Sequence, residues 1–378
     1  MDDRVKFEVR QPALRRRTHS SEERGRSPAS TVRPRLLGLT TAVPGYVVDQ
    51  RTAAERALVH FGDLVGDRAE RLMPIYGNAG VENRYTCVPI DWHSQPHGWR
   101  ERSAVYYENS LALLERAAVD CLATVGLGGQ DVDAIVVVST SGIATPSLDA
   151  VLINRLGLRS DVKRLPIFGF GCAGGILGLS RAADIARLDP NANVLFLVVE
   201  LCSLTFRGND KTAANFVSTA LFADGAVAAL ISARGDGIVL GASGEHTWHD
   251  TLDVMGWDIQ DDGFQVLLSR DIPSLVRARV RDVTTQFLDR HGLGLADIDR
   301  FICHPGGAKV LTALEEAFGL EEGALVDARG ILRDYGNMSA ATVLFVLDRA
   351  LKSGARGRLL MTTMGPGFTA GFQIIEAT

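Results

Sequence analysis

Three residues whose types could carry nucleophilic and acid–base chemistry are spread over the middle and the second half of the chain. Cys172 lies in the glycine-rich segment 168–175 and is followed by the small residues Ala173, Gly174 and Gly175, which predicts a tight turn leading into a helix. A cysteine at a helix N-terminus is near the positive end of the helix dipole, which favours the reactive thiolate. His304 begins a His-Pro-Gly-Gly turn after a short predicted strand, and Asn337 precedes another predicted helix. In this order they could supply a nucleophile, an acid or base, and an amide donor.

Each of these motifs also has an ordinary structural explanation. A cysteine among small residues is often a core residue, a histidine after a strand is commonly structural, and an asparagine before a helix often acts as an N-cap. A fourth motif, Gly365-Pro366-Gly367-Phe368, predicts a rigid turn between the last two strands. The order and spacing of the four motifs together favour a catalytic site.

The elements that must position these residues alternate between strands and helices from Leu36 onward, as is typical of α/β proteins. Similar segments recur about 165 residues apart, which indicates an internal repeat. The matched pairs are Asp133 with Asp299, Leu158 with Leu320, Cys172 with Asn337, and Val194 with Leu359. We therefore predict a duplicated α/β unit with αβαβα layers, in which the junctions carrying Cys172 and Asn337 face one cleft.

The chain is predicted to have three parts. Residues 1–35 contain ten Lys or Arg and five Asp or Glu without a helical or strand period, which predicts a disordered basic tail. An N-terminal half over 36–235 would carry the cysteine. A C-terminal half over 236–378 would carry the histidine and the asparagine.

The overall composition excludes several classes of protein. Forty-five acidic and 40 basic side chains give a formal charge of −5, which argues against a general nucleic-acid-binding protein. The apolar runs are far shorter than the ~18 residues of a membrane helix, and the N-terminus lacks the apolar core of an export signal. We therefore expect a cytoplasmic protein without a membrane span. Five cysteines without a Cys-x-x-Cys pair predict neither a disulfide framework nor a metal site.

From about Leu36 to the C-terminus, the sequence resembles the type III polyketide synthases of the chalcone synthase superfamily, which have the thiolase-like fold. The resemblance is carried by the motifs at 171–175, 304–307, 335–339 and 365–368. It implies that Cys172 accepts a starter acyl group from coenzyme A (CoA) and that His304 holds the thiolate as an ion pair. His304 and Asn337 would then stabilise the enolate formed when malonyl-CoA loses carbon dioxide. The resemblance further implies a homodimer with no cofactor, because CoA thioesters are the substrates.

Further residues acquire roles from the same resemblance. Phe222 and Phe264 match a pair of aromatic residues that gate the active site. Two positions near the CoA site that are usually basic in the family are here Pro74 and Asn78. The residues predicted to bind CoA are Arg71, Lys309, Gly306 and Gly307.

Substrate specificity is expected to depend on the side chains that line the cavity. The run Cys202-Ser-Leu-Thr-Phe206 is similar to bacterial alkylpyrone and alkylresorcinol synthases. In those relatives, small residues at the positions of Thr140, Ala144 and Cys202 open a tunnel for a long acyl chain, which gains about 0.8 kcal/mol per buried methylene. The loop at Thr145-Pro146, often cis in the family, would reach the neighbouring subunit. The complete set of predicted substrate-binding residues is Phe222, Phe264, Thr140, Ala144, Thr145, Cys202, Thr205, Ser339, Gly365, Pro366, Gly367 and Phe368.

Several alternatives remain open from the sequence, among them an enzyme of this family that takes short or aromatic starters. Cys202 is also similar to an additional cysteine of tetrahydroxynaphthalene synthases, which use only malonyl units. A β-ketoacyl-carrier-protein synthase III shares the fold and triad but usually lacks the loop at 365–368 and the paired phenylalanines. A papain-like protease has Cys, His and Asn in the same order, although its cysteine lies near the mature N-terminus. An inactive thiolase-like binding protein would be expected to have lost one of the three residues.

Overall fold

Strands and helices alternate along the chain in the computed structural model, which describes residues 32–65 and 73–377. The strands are β1 (Arg35–Ala42), β2 (Tyr46–Asp49), β3 (Asn83–Thr86), β4 (Ala134–Val138), β5 (Lys163–Ile167), β6 (Asn193–Leu201), β7 (Asp224–Ser232), β8 (Ile238–Thr247), β9 (Met255–Gln260), β10 (Gly263–Leu268), β11 (Arg300–Cys303), β12 (Gly357–Gly365) and β13 (Thr369–Ala377). The helices are α1 (Gln50–Val65), α2 (Pro74–Asn78), α3 (Trp99–Thr124), α4 (Leu148–Arg155), α5 (Gly174–Leu188), α6 (Ala213–Leu221), α7 (Ile272–Asp289), α8 (Ala308–Phe318), α9 (Val326–Tyr335) and α10 (Thr342–Lys352). Residues 1–31 of the predicted tail and the predicted CoA contact Arg71 lie outside the described residues, and the last residue of that tail, Arg35, begins β1.

Nine strands are hydrogen-bonded in the order β11-β12-β13-β8-β1-β7-β6-β4-β5. The outer strands are parallel, since β4 pairs in parallel with β5 and β6, and β11 pairs in parallel with β12. The two halves join at β1, which pairs with β7 along most of its length but with β8 only through Arg35 and Leu36. The arrangement is therefore two equivalent sheets connected at their edges, as a duplicated unit requires.

Helices cover both faces of each sheet. On β4, Val137 packs in the core formed with α3, whereas the next residue, Val138, packs in the core formed with α5. On β13, Gly371 faces α5, while Phe372 on the opposite face stacks with Phe287 of α7 at 5.1 Å between ring centroids. Because α5 and α10 contact each other and both sheets, they form the central layer. The predicted αβαβα fold is confirmed.

The halves repeat the same local structure where the catalytic motifs lie. A 3₁₀ turn at Gly171–Ala173 leads into α5, and a 3₁₀ turn at Ser339–Ala341 leads into α10. A side chain at Gly175 would collide with the carbonyl oxygen of Ala340. The small residues that follow Cys172 are therefore what lets the two turns approach closely, and the predicted proximity of the two junctions is confirmed.

The chain from Val32 onward groups into one compact unit. Both predicted halves, 36–235 and 236–378, belong to it. In the two described stretches of the chain, no helix is both long and apolar enough to cross a membrane.

Candidate active site

A cavity of about 690 Å³ opens where the two 3₁₀ turns meet. All three residues of the predicted triad, Cys172, His304 and Asn337, line it. The rest of its wall is mainly apolar and comes from α2, α6, α8 and the β9–β10 hairpin. A largely apolar wall around a nucleophile limits the access of water to reactive intermediates.

Cys172 is half-buried, and hydrogen bonds of the main chain at residues 171 and 172 fix its position. Its carbonyl oxygen accepts a hydrogen bond from Thr363 Oγ1 at 2.8 Å, and the preceding Gly171 N–H donates to Thr140 Oγ1 at 3.1 Å. The thiol donates to Ser339 Oγ, with 3.6 Å between sulfur and oxygen. Gly171 has φ +47°, and a Cβ there would lie 2.6 Å from Pro366 Cδ, so the turn requires glycine.

The electrostatic surroundings of the thiol differ from the prediction made for a helix N-terminus. Burial, together with a smaller effect of the nearby Glu200, raises the pKa of Cys172 to about 12. Cys172 lies on the 3₁₀ turn one residue before the N-cap of α5, Ala173. The predicted lowering of the thiol pKa is therefore wrong for the thiol taken alone, because desolvation outweighs the helix dipole.

His304 follows β11 directly and is buried. Its backbone N–H donates to Thr362 O at 2.9 Å, which continues the β11–β12 ladder to the histidine. Within the described chain neither ring nitrogen has a hydrogen-bond partner, so both remain available to a proton or a substrate oxygen. Burial lowers the pKa of His304 to about 4. Burial thus disfavours a charge on His304 alone or on Cys172 alone. Transfer of the thiol proton to the imidazole would instead create a thiolate and an imidazolium together, a pair with no net charge.

The amide of Asn337 has a defined orientation. Its Oδ1 accepts the backbone N–H of Ser339 at 2.8 Å, which leaves the NH₂ group as the donor. One N–H of this group donates to Gly306 O at 3.5 Å, in the loop that follows His304, and the other is left for a substrate oxygen. The site therefore combines a thiol, a neutral imidazole and an amide donor in one apolar cavity, which suits acyl transfer through an oxyanion or enolate.

Comparison with known proteins agrees with this geometry. Residues 21–235 match the N-terminal domain of chalcone and stilbene synthases, and residues 245–375 match their C-terminal domain. The chain belongs to the chalcone and stilbene synthase family.

Similarity to bacterial members extends over nearly the whole chain. The sequence is 38% identical over 352 residues to a putative chalcone synthase from Bacillus subtilis, covering 89% of this chain and 96% of that protein. It is 37% identical over 377 residues to 1,3,6,8-tetrahydroxynaphthalene synthase from Streptomyces peucetius subsp. caesius, covering 97% of each. The crystal structure of the 1,3,6,8-tetrahydroxynaphthalene synthase of Streptomyces coelicolor A3(2), a bacterial type III polyketide synthase, matches with a TM-score of 0.87 at 29% identity, covering 91% of this chain and 99% of that one. This chain is therefore a type III polyketide synthase, an enzyme of the acyltransferase class.

About half of the predicted substrate and CoA positions of this polyketide synthase line the cavity. Those that do are Cys202, Phe222, Ser339, Pro366, Gly306, Gly307 and Lys309. Those that do not are Phe264, Thr140, Ala144, Thr145, Thr205, Gly365, Gly367 and Phe368. Of the three residues predicted to form the tunnel wall, Thr140, Ala144 and Cys202, only Cys202 lines the cavity.

Several of the predicted residues that do not line the cavity contact residues that do. Thr140 fixes the turn before Cys172 through its bond to Gly171. Thr205 Oγ1 donates to Cys202 O at 2.7 Å and so shapes the turn that presents this cysteine. A side chain at Gly365 would collide with the turn before Cys172. The Thr145–Pro146 peptide is cis, as the resemblance implies.

Trp257 on β9 explains why Thr140 and Phe264 are displaced from the cavity surface. Its indole Nε1 donates to Thr140 O at 3.0 Å. Its ring lies between Phe222 and Phe264, at centroid distances of 6.1 and 6.0 Å. The predicted pairing of Phe222 with Phe264 is therefore wrong in this structure, since Trp257 faces Phe222 and Phe264 packs behind it against Trp99.

Sequence reasoning also missed Glu200, a fully buried acid at the end of β6. Its carboxylate accepts the backbone N–H groups of Thr140 at 3.1 Å and Ser141 at 2.9 Å. Burial raises the pKa of Glu200 to about 7. A single acid in the apolar run 194–201 was the available signal, because a buried charge needs a structural or functional reason.

Two cationic side chains line the cavity. Lys309, which was predicted, and Arg270, which was not, are both exposed and make no hydrogen bond or ion pair within the part of the chain that the structure describes. The usually basic family positions, Pro74 and Asn78, also line the cavity. In residues 32–65 and 73–377, no group of three His, Cys, Asp or Glu side chains could hold a metal ion.

Proposed function

We propose that this type III polyketide synthase loads a long-chain fatty acyl group onto Cys172, extends it with malonyl-CoA and cyclises the product to an alkylpyrone or alkylresorcinol. The observation that carries this proposal is a second, mainly apolar cavity of about 90 Å³ behind Cys202 and Phe222. These two residues line both cavities. Rotation of one side chain would extend the catalytic cavity toward Phe61 and Phe206, where an acyl tail gains about 0.8 kcal/mol per methylene.

The proposed chemistry assigns one task to each residue of the triad. His304 takes the thiol proton of Cys172, the sulfur attacks the acyl carbonyl carbon, and CoA leaves as a thiolate that regains the proton. Malonyl-CoA then loses carbon dioxide, and the electron pair of the broken bond forms an enolate held by His304 and Asn337. Each well-placed donor stabilises such an oxyanion by roughly 3–4 kcal/mol. The enolate carbon attacks the acyl group and releases the Cys172 thiolate, so the cycle uses CoA thioesters without a metal or redox cofactor.

The proposal extends to CoA binding and to assembly. Lys309 and Arg270 bind the phosphates, while Gly306 and Gly307 allow the pantetheine arm to pass close to the backbone. The N-terminal half, 36–235, supplies the nucleophile, and the C-terminal half, 236–378, supplies the histidine and asparagine. We propose a homodimer, which the exposure of Ile143 (48%) and Phe168 (54%) supports.

Mass spectrometry of the products tests this function. Purified protein would receive malonyl-CoA with acetyl-, hexanoyl-, lauroyl- or palmitoyl-CoA, and Cys172→Ala would serve as the control. Alkylpyrones or alkylresorcinols that carry the long chain, absent from the control, are expected. Preference for acetyl- or hexanoyl-CoA would contradict the long-chain assignment, and absence of carbon dioxide release with every starter would contradict catalysis by this triad.

A second candidate is a 1,3,6,8-tetrahydroxynaphthalene synthase that uses malonyl-CoA alone. Identity of 37% to the Streptomyces peucetius enzyme over 97% of both chains supports it, as does Cys202 at the cavity wall. A naphthalene product from malonyl-CoA without any other starter would establish this candidate in place of the first.

A further inference from the structure

The main chain of Asn337 is hydrogen-bonded to the segment that carries Phe222. Asn337 N–H donates to Leu221 O at 2.8 Å, and Ala223 N–H donates to Asn337 O at 2.9 Å. Phe222 and Asn337 thereby form an isolated parallel bridge. The preceding Gly336 has φ +71°, and a Cβ there would lie 2.9 Å from Leu221 O. Any shift of this segment would therefore move Asn337 as well.

The guanidinium of Arg84 clamps that segment. Arg84 lies on β3 and is 3% exposed. Its Nη1 donates to Thr219 O at 2.6 Å and to Phe222 O at 3.2 Å, and its Nη2 donates to Ala220 O at 3.0 Å. These carbonyls lie at the C-terminal end of α6, where the helix dipole is negative and a cation is favoured.

The charge of Arg84 is compensated in an unusual way. Its partners in the described chain are the three carbonyls and Gln50 Oε1, and none of them is a carboxylate. Gln50 in turn donates to Tyr76 O at 2.9 Å and to Ala220 O at 3.1 Å. Burial lowers the pKa of Arg84 to about 10, so the group stays charged at neutral pH. A buried ion is costly unless it is hydrogen-bonded. The Nε of Arg84 has no partner in the described chain, so the bonds of its two Nη atoms alone compensate the charge and hold the guanidinium against this segment.

We propose that Arg84 is a positioning residue that sets the place of the Asn337 amide, and with it the enolate-stabilising donor, through the Phe222–Asn337 bridge. The proposal rests on the role of Asn337 in the proposed function. Arg84 is separated from Asn337 by the segment it holds and does not line the catalytic cavity, although it contributes to the wall of the second cavity. Its planar fork reaches three carbonyls at once, which the single ammonium of lysine does not reproduce.

The test separates acylation, which does not use the Asn337 amide, from decarboxylation, which does. Intact-protein mass spectrometry would follow acyl transfer to Cys172, and carbon dioxide release would follow malonyl-CoA decarboxylation. In Arg84→Lys we expect acylation by acetyl-CoA and its KM to stay within twofold, because a two-carbon acyl group does not need the second cavity. The kcat for decarboxylation should fall roughly ten- to a hundredfold, since misplacement by about 1 Å costs up to 10²-fold. In an Asn337→Ala background the same substitution should change decarboxylation less than about twofold, because the donor is already absent.

Further variants keep the result interpretable. Gln50→Leu removes one partner of Arg84 without touching the catalytic cavity and should lower the decarboxylation rate by a smaller factor than Arg84→Lys does. This second variant tests the proposal even if Arg84→Lys folds poorly. Arg164→Lys is the control and should leave both steps unchanged, because it alters an exposed guanidinium on β5 that binds the buried Asp149 of α4. Equal losses in acylation and decarboxylation, or the same loss with and without Asn337, would overturn the proposal. Failure of the proposed function would instead be visible in the wild type, which would then show neither acylation of Cys172 nor carbon dioxide release with any of the starters.

Discussion

The thiol of Cys172 and the hydroxyl of Ser339 are joined by a hydrogen bond, with 3.6 Å between sulfur and oxygen. Each residue lies on the 3₁₀ turn of its own half, so the contact crosses the internal repeat. Ser339 adopts φ +48°, and its N–H donates to Asn337 Oδ1 at 2.8 Å. One serine therefore connects the proposed nucleophile with the proposed amide donor.

Ser339→Ala should slow the reaction of Cys172 with a small alkylating reagent. When the thiol ionises, the hydroxyl can turn to donate to the thiolate, which lowers the pKa of the thiol, so its removal raises that pKa and reduces the thiolate. A hydrogen bond of this kind contributes about 0.5–1.5 kcal/mol, which corresponds to a roughly two- to tenfold slower iodoacetamide reaction at pH 7. Ser353→Ala, which removes a hydroxyl bonded to Ala350 O, is the control. Unchanged or faster alkylation of Ser339→Ala would contradict the structural role given to this contact.

His304→Gln should reveal the pKa of the thiol alone. Burial places that pKa at about 12, so roughly one thiol in 10⁵ is ionised at pH 7 once the imidazole is absent. We expect iodoacetamide alkylation of Cys172 at pH 7 to fall at least about 100-fold relative to the wild type. In the variant, the rate should rise tenfold for each pH unit from 7 to 10, because the thiolate fraction rises in that proportion below the pKa. A plateau below pH 9 in the variant would show that desolvation does not dominate this site.

The fold and the triad were predictable because their signals are local or repeated. Tight turns of small residues, a histidine at a strand end and a repeat of about 165 residues all fix backbone geometry directly. The repeat placed Cys172 and Asn337 at equivalent junctions, and the structure brings both to one cavity.

The residues that sequence reasoning missed depend on tertiary packing. Trp257 reaches the cavity from a separate two-stranded hairpin, β9–β10, whose position over Thr140 no local pattern specifies. The pKa of Cys172 was mispredicted for a related reason, since the helix dipole can be inferred from a motif whereas the extent of burial cannot. Alignment by motif likewise paired Phe222 with Phe264, although a third ring lies between them.

Phe264→Ala should affect stability more than chemistry. Phe264 is buried and packs against Trp99 at a ring-centroid distance of 4.9 Å, so truncation should lower the free energy of unfolding by about 3–5 kcal/mol. Phe222→Ala removes the ring shared by the two cavities and should instead change the distribution of products. Urea unfolding and product analysis by mass spectrometry would be compared for both variants. A changed product profile in Phe264→Ala with unchanged stability would restore this residue as a gate.

Arg270→Ala and Lys309→Ala should weaken binding of CoA thioesters without changing the chemical step. Both side chains line the cavity and lack a partner among the described residues, and charge-assisted bonds to phosphate contribute about 1.5–3 kcal/mol. We therefore expect each substitution to raise KM for malonyl-CoA at least roughly tenfold at low salt, with little change in kcat, and the difference should shrink as ionic strength rises.

Substrate analogues provide the control for this prediction within the same protein. N-acetylcysteamine thioesters carry the acyl group without the CoA phosphates, so their KM should be the same for the wild type and for both variants. If Arg270→Ala raised KM equally for the analogue and for malonyl-CoA, Arg270 would be shaping the cavity rather than binding phosphate. If Lys309→Ala alone affected KM for malonyl-CoA, the phosphates would lie on the α8 side of the cavity, away from the segment between β10 and α7 that carries Arg270.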